Sequence, residues 1–101
     1  MTEAVVTLDL AGVGDKADLM DRCARDLSLP DWFGRNWDAL ADVLRDPGFW
    51  PEAAVEAGIV VVVRNWERYA GARPEQWAVA REVFSEASAV TVALALGGTS
   101  E

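Results

Sequence analysis

The sequence predicts an α/β domain in which helices pack against a three-stranded parallel sheet. Three observations carry this reading. Strand-like segments stand at Ala4 to Leu10, Gly58 to Val63 and Ala89 to Leu96, and segments of helical period separate each from the next. Strands separated by helices are joined by crossovers, which makes the sheet parallel. The chain has 101 residues, 51% of them hydrophobic and 26% charged, which suits one domain with one core; no repeat, linker or low-complexity run divides it. Order is expected from about Glu3 to Leu96.

In the first strand Val6, Leu8 and Leu10 share a face, and Gly12 and Gly14 then break the pattern. Asp15 is placed to cap a helix from about Lys16 to Leu27, with Asp18 in its first turn and Leu19, Met20, Cys23 and Leu27 at helical spacing. Ser28-Leu29-Pro30 ends it. Gly34 permits a tight loop and Asn36 caps a second helix from Trp37 to about Leu44, which Asp46-Pro47-Gly48 stops. Trp37, Leu40, Ala41 and Leu44 form its buried stripe. Phe49, Trp50 and Pro51 begin a connector.

Gly58-Ile59-Val60-Val61-Val62-Val63 is a continuous β-branched run, the pattern of a central strand covered on both faces. Trp66 to Tyr69 suits a short helical turn, and Pro74 at a first helical position opens a longer helix carrying Trp77, Ala80, Val83, Phe84 and Ala87. In the last strand Val90, Val92, Leu94 and Leu96 face one way. Ala89, Thr91, Ala93 and Ala95 face the other, where small side chains would admit a helix.

Seventeen acids against nine bases, with no histidine, give a net charge of −8. Such a field disfavours nucleic acid and anionic membranes and favours cationic partners, although acidity also serves solubility alone. Cys23 is the only cysteine and lies in an apolar stripe, so it reads as a buried thiol in a reducing compartment. The longest apolar run, Ile59 to Val63, is too short to span a bilayer and the N-terminus lacks a signal-peptide pattern; a soluble, cytoplasmic, bacterial protein is expected. No nucleophile setting, phosphate loop or histidine base is present, which argues against an enzyme, and no cofactor is implied.

The unusual chemistry lies on the second helix. Asp38 and Asp42 are four residues apart, about 6 Å along the axis, and turn away from the apolar stripe. Asp38 is favoured by the helix dipole; Asp42 is opposed by it and repelled by Asp38. Either Asp42 pairs with Arg45 three residues on, or it serves a partner. Glu86, near the end of the Pro74 helix and four residues after Glu82, is similarly disfavoured. Trp32 and Phe33, adjacent between Pro30 and Gly34, cannot both enter a core, so one either caps the core edge or offers a stacking surface. Trp37, Trp50, Trp66 and Trp77 read as core or core-edge residues. A hard-cation site from Asp38, Asp42 and Glu86 would lack the histidine partner that such helical spacing usually has, so no metal is expected.

Leu29-Pro30-Asp31-Trp32-Phe33-Gly34-Arg35-Asn36-Trp37-Asp38-Ala39-Leu40-Ala41-Asp42-Val43-Leu44 resembles the corresponding run of the barstar family of small intracellular ribonuclease inhibitors. Leucine-proline-acid, two aromatics, glycine, asparagine and the spaced aspartates fall in family order. The resemblance continues through Trp66 and Val83-Phe84-Ser85-Glu86-Ala87, so it covers nearly the whole chain. It implies a three-stranded parallel sheet with packed helices, and a second helix and preceding loop that plug the active site of a secreted, guanyl-preferring microbial ribonuclease in a 1:1 complex.

On this resemblance Asp42 is the principal phosphate mimic, Asp38 and Glu86 pair with cations of the nuclease, Trp32 takes the place of a stacking aromatic, and Gly34 and Asn36 shape the loop. Trp37 and Ala41 complete the implied contact set. Three departures bear on specificity. Ala41 stands where the family's best-known member has tryptophan, Arg35 replaces an acid, and Trp32 is bulkier than the usual tyrosine. The implied role is that of an immunity protein or antitoxin, with nothing requiring a dimer when free; the alternative is a barstar-like module for a basic partner that is not a ribonuclease.

Overall fold

The computed structural model describes residues 4–95. Strands β1 (Ala4–Asp9), β2 (Ile59–Arg64) and β3 (Thr91–Leu94) form one parallel sheet in the order β1-β2-β3, as expected, with Val5 opposite Val60 and Val61 opposite Val92. Leu10 lies just beyond β1 but still donates its N–H to the Arg64 carbonyl at 2.9 Å. The third strand begins two residues later than Ala89, whose N–H bonds instead to the Leu44 carbonyl at 3.0 Å. Glu3 and Leu96, the expected limits of order, lie outside the described residues.

The helices are α1 (Lys16–Asp26), α2 (Trp37–Arg45), α3 (Glu52–Ala57), α4 (Glu67–Ala72) and α5 (Pro74–Ser85). Asp15 caps α1, its carboxylate accepting the Asp18 N–H at 3.0 Å. The connector after α2 holds two elements that the sequence pattern does not mark, a 3₁₀ turn at Pro47–Phe49 and α3. The helical turn expected at Trp66 to Tyr69 is α4, displaced toward the C-terminus with Trp66 as its cap residue.

Leu19, Met20 and Cys23 of α1, Leu40 and Leu44 of α2, and Trp77 and Ala80 of α5 meet Leu8, Val61 and Val63 of the sheet in one core. Trp66 stacks on Trp77 with ring centroids 5.1 Å apart and nearly parallel planes, and its indole N–H donates to the Ala95 carbonyl at 2.8 Å. Trp37 is half-buried, and Val43 joins the buried side of α2 in its place.

The central strand is not covered on both faces. Ile59, Val61 and Val63 are buried, but Val60 and Val62 are only half-buried, and their face of the sheet continues into Val5, 64% exposed, with Thr7, Thr91 and Ala93. The small-residue side of β3, expected to receive a helix, is this open face; Val92 and Leu94 on the other side border Phe84 of α5. The reason is topological. Right-handed crossovers between strands adjacent in both sequence and space lie on one side of the sheet. No helix among the described residues is long and apolar enough to cross a membrane.

Candidate partner-binding site

The site begins where α1 stops. Ser28 adopts a left-handed backbone, φ +55°, and the Leu29 N–H returns to the Ala24 carbonyl at 2.9 Å, which ends the helix and turns the chain outward. Pro30 and Phe33 close a tight turn through a 2.9 Å N–H···O bond. Phe33 enters the core at 4% exposure and Trp32 is left 76% exposed. The adjacent aromatics therefore divide as steric reasoning requires, and Trp32 is the outward one.

The next residues lock the loop to the helix. The Asn36 side chain accepts the Ala39 N–H at 2.7 Å and donates from Nδ2 to the Gly34 carbonyl at 3.2 Å, so one amide caps α2 and ties down the loop. A side chain at Gly34 would be tight: a Cβ there would lie 3.2 Å from Asn36 Nδ2 and 3.3 Å from Ala39 Cβ, so the cap would have to give by a few tenths of an ångström. Arg35, between them, is left-handed at φ +53°, and its guanidinium pairs with Asp21 on α1.

Asp38 and Asp42 are exposed on the outer side of α2. Asp42 pairs with Arg45 at 3.2 Å and still keeps 76% of its side-chain surface in solvent. The pairing with Arg45 is therefore present, and it is an exposed ion pair of the weak kind. Asp46 continues the four-residue spacing. It ends α2 through its N–H to the Val43 carbonyl, and its carboxylate accepts the Gly48 N–H at 2.9 Å.

Between the Trp32 turn and the C-terminal half of α2 lies an open notch of about 360 Å³. Trp32, Phe33, Val43 and Phe49 supply its apolar lining, with Asp42 and Asp46 beside them. Phe49 and Trp50 meet edge to face at 5.4 Å, and the Trp50 indole N–H bonds to the Val43 carbonyl at 3.0 Å, which fixes this wall. Sequence reasoning missed Asp46 and Phe49 as site residues. The signal was present in the step from Asp38 to Asp42 to Asp46 and in an aromatic directly after the helix stop.

Glu86 is the cap residue at the C-terminal end of α5 and is exposed. The Ser88 and Ala89 N–H groups both bond to the Leu44 carbonyl, at 3.2 and 3.0 Å, so the chain after Glu86 is fastened to the end of α2. Ala41 is 8% exposed and stands behind the acidic face, in the core. Trp37 is half-buried, with Lys16 Nζ 6.0 Å from its ring centroid. Asp38, Asp42 and Glu86 do not converge closely enough to hold a metal ion among the described residues. Cys23 is fully buried, and desolvation, with Asp26 nearby, pushes its thiol up to about 12, so it is no nucleophile at neutral pH.

The arrangement is thus a row of exposed carboxylates beside an exposed indole and an apolar notch. Such a surface steers a cationic partner at long range and makes charge-assisted hydrogen bonds at contact. The protein-family model Barstar, described as barnase inhibitor, matches residues 3–94 of the chain. No curated relative matches it.

Proposed function

Since the chain belongs to the Barstar family, we propose that it is an inhibitor, not an enzyme, and that it blocks the active site of a secreted, guanyl-preferring microbial ribonuclease in a 1:1 complex. A ribonuclease collects cationic side chains around the scissile phosphate, so a rigid carboxylate row presents substrate-like charge without a cleavable bond. Asp42 acts as the principal phosphate mimic. Asp38 and Glu86 engage cations at the rim, and Trp32 stacks where a base would lie.

The observation that carries the reading is the rigid coupling of loop and helix through Asn36, which offers Trp32 and Asp42 from one preorganised surface. Gly34 and Asn36 set that geometry, and Trp37 borders it. The protein acts in the cytoplasm as a monomer when free and protects the producing cell from its own nuclease. The departures at Ala41, Arg35 and Trp32 bear on which nuclease is bound; the alternative reading is that the same face binds a basic partner that is not a ribonuclease.

The test is titration of this protein into purified guanyl-preferring ribonucleases while RNA cleavage is followed at low and moderate salt. The proposal expects stoichiometric inhibition that is weakened by salt and, severely, by Asp42→Ala. No inhibition across the panel would overturn the ribonuclease reading and leave the basic non-nuclease partner.

A further inference from the structure

We infer that Asp21 of α1 is a positioning residue for recognition: it holds the Arg35 guanidinium on the α1 side of the loop and leaves the notch side anionic. The inference rests on the proposed binding of a cationic nuclease. Arg35 lies between Gly34 and Asn36 in sequence, three residues before Asp38, and is the cation nearest along the chain to the cap of α2. Its charge opposes the purpose of an acidic face unless it is directed elsewhere.

Two features direct it. The backbone at Arg35 is left-handed, φ +53°, which is uncommon for a residue with a side chain and marks a conformation that the surrounding loop imposes. The guanidinium then reaches Asp21, fourteen positions back on α1. Arg35 and Asp21 line a hollow that also includes Leu29 and Asp31, and no residue of this hollow lines the Trp32–Asp42 notch. The loop's own cation therefore lies on one side, and the indole, Asp46 and Asp42, itself paired with Arg45, lie on the other.

Asp38 is the competing anchor. It sits in the first turn of α2 and is exposed, so an Arg35 released by loss of Asp21 has a second carboxylate close in sequence. A swing toward Asp38 would neutralise a partner-facing acid and place a positive charge before a positive cleft. Both members of the present pair are well exposed, so the bias is that of a surface ion pair and not of a buried lock.

The test compares wild type, Asp21→Asn, Arg35→Gln and the double variant for inhibition of a nuclease that the wild type inhibits, with side-chain nitrogen NMR of Arg35 in the free proteins. Asp21→Asn should weaken binding about threefold, as expected for a surface pair. In the Arg35→Gln background the same change should retain only the small, salt-screened effect of one distant charge. The Arg35 resonance should report a restrained guanidinium in the wild type and a free one in Asp21→Asn. Equal effects in both backgrounds, or an Arg35 resonance indifferent to Asp21, would overturn this inference while inhibition stands. Absence of wild-type inhibition would overturn the proposed function and the recognition role together, while the NMR comparison would still report whether Asp21 holds Arg35.

Discussion

Asp42 and Arg45 meet at 3.2 Å on the outer side of α2 and remain 76% and 48% exposed. Such a pair contributes at most about 1 kcal/mol, and loss of Asp42 also relieves its repulsion with Asp38. Asp42→Ala should therefore change folding stability by no more than about 0.5 kcal/mol in thermal or denaturant unfolding. Its effect on a cationic partner should be far larger. Each lost charge-assisted hydrogen bond costs about 1.5–3 kcal/mol, so affinity should fall about ten- to a hundredfold or more, as read by inhibition titration.

Trp32 and Phe33 give a paired test of division between surface and core. Trp32→Ala, at a position 76% exposed, should leave stability within about 0.5 kcal/mol of wild type and weaken partner binding. Phe33→Ala, at 4% exposure, should cost about 3–5 kcal/mol, a large share of a small domain's stability. Urea unfolding and inhibition assays on both variants separate the two effects.

Much of this division was legible in the sequence. The caps at Asp15 and Asn36, the helix start at Pro74 and the parallel three-stranded sheet follow from side-chain chemistry and spacing, and all stand in the structure. The short helix α3 was not legible, because Pro51 supplies no side-chain cap and none of its six residues is buried. The half-burial of Val60 and Val62 was not legible either, since a β-branched run looks the same whether one face or both are covered. Only the placement of both crossovers on one side decides it. Asp46 and Phe49 read in the sequence as helix stop and connector, and only the fold of the 3₁₀ turn brings them to the notch beside Trp32.

The Asn36 cap should be separable from the acids it positions. Asn36→Ala removes the bond to the Ala39 N–H and the tie to the Gly34 carbonyl, and should destabilise by about 1 kcal/mol. Gly34→Ala should disturb the same cap, because its new Cβ must displace Asn36 Nδ2 or the Ala39 methyl. Hydrogen exchange at the Ala39 amide should quicken in both variants.

Alkaline pH should unfold the protein through two buried groups. Desolvation pushes Cys23 from 9.0 and Tyr69 from 10.0, each up to about 12, so the folded state holds protons that the unfolded state releases. The sign follows from linkage: this contribution is complete below the unfolded pKa values and is lost as pH rises from about 9 to about 12. Thermal melts should show a declining midpoint across that interval, with a smaller decline in Tyr69→Phe. At neutral pH a thiol reagent should reach Cys23 only on unfolding.

The most direct measurement of the central claim is competition between this protein and a guanylyl mononucleotide for one nuclease, followed by calorimetry. If the Trp32–Asp42 surface fills the RNA-cleaving site, each added increment of bound nucleotide should weaken the protein's apparent affinity in proportion to site occupancy. Unchanged affinity at saturating nucleotide, with all three components in one complex, would contradict the account.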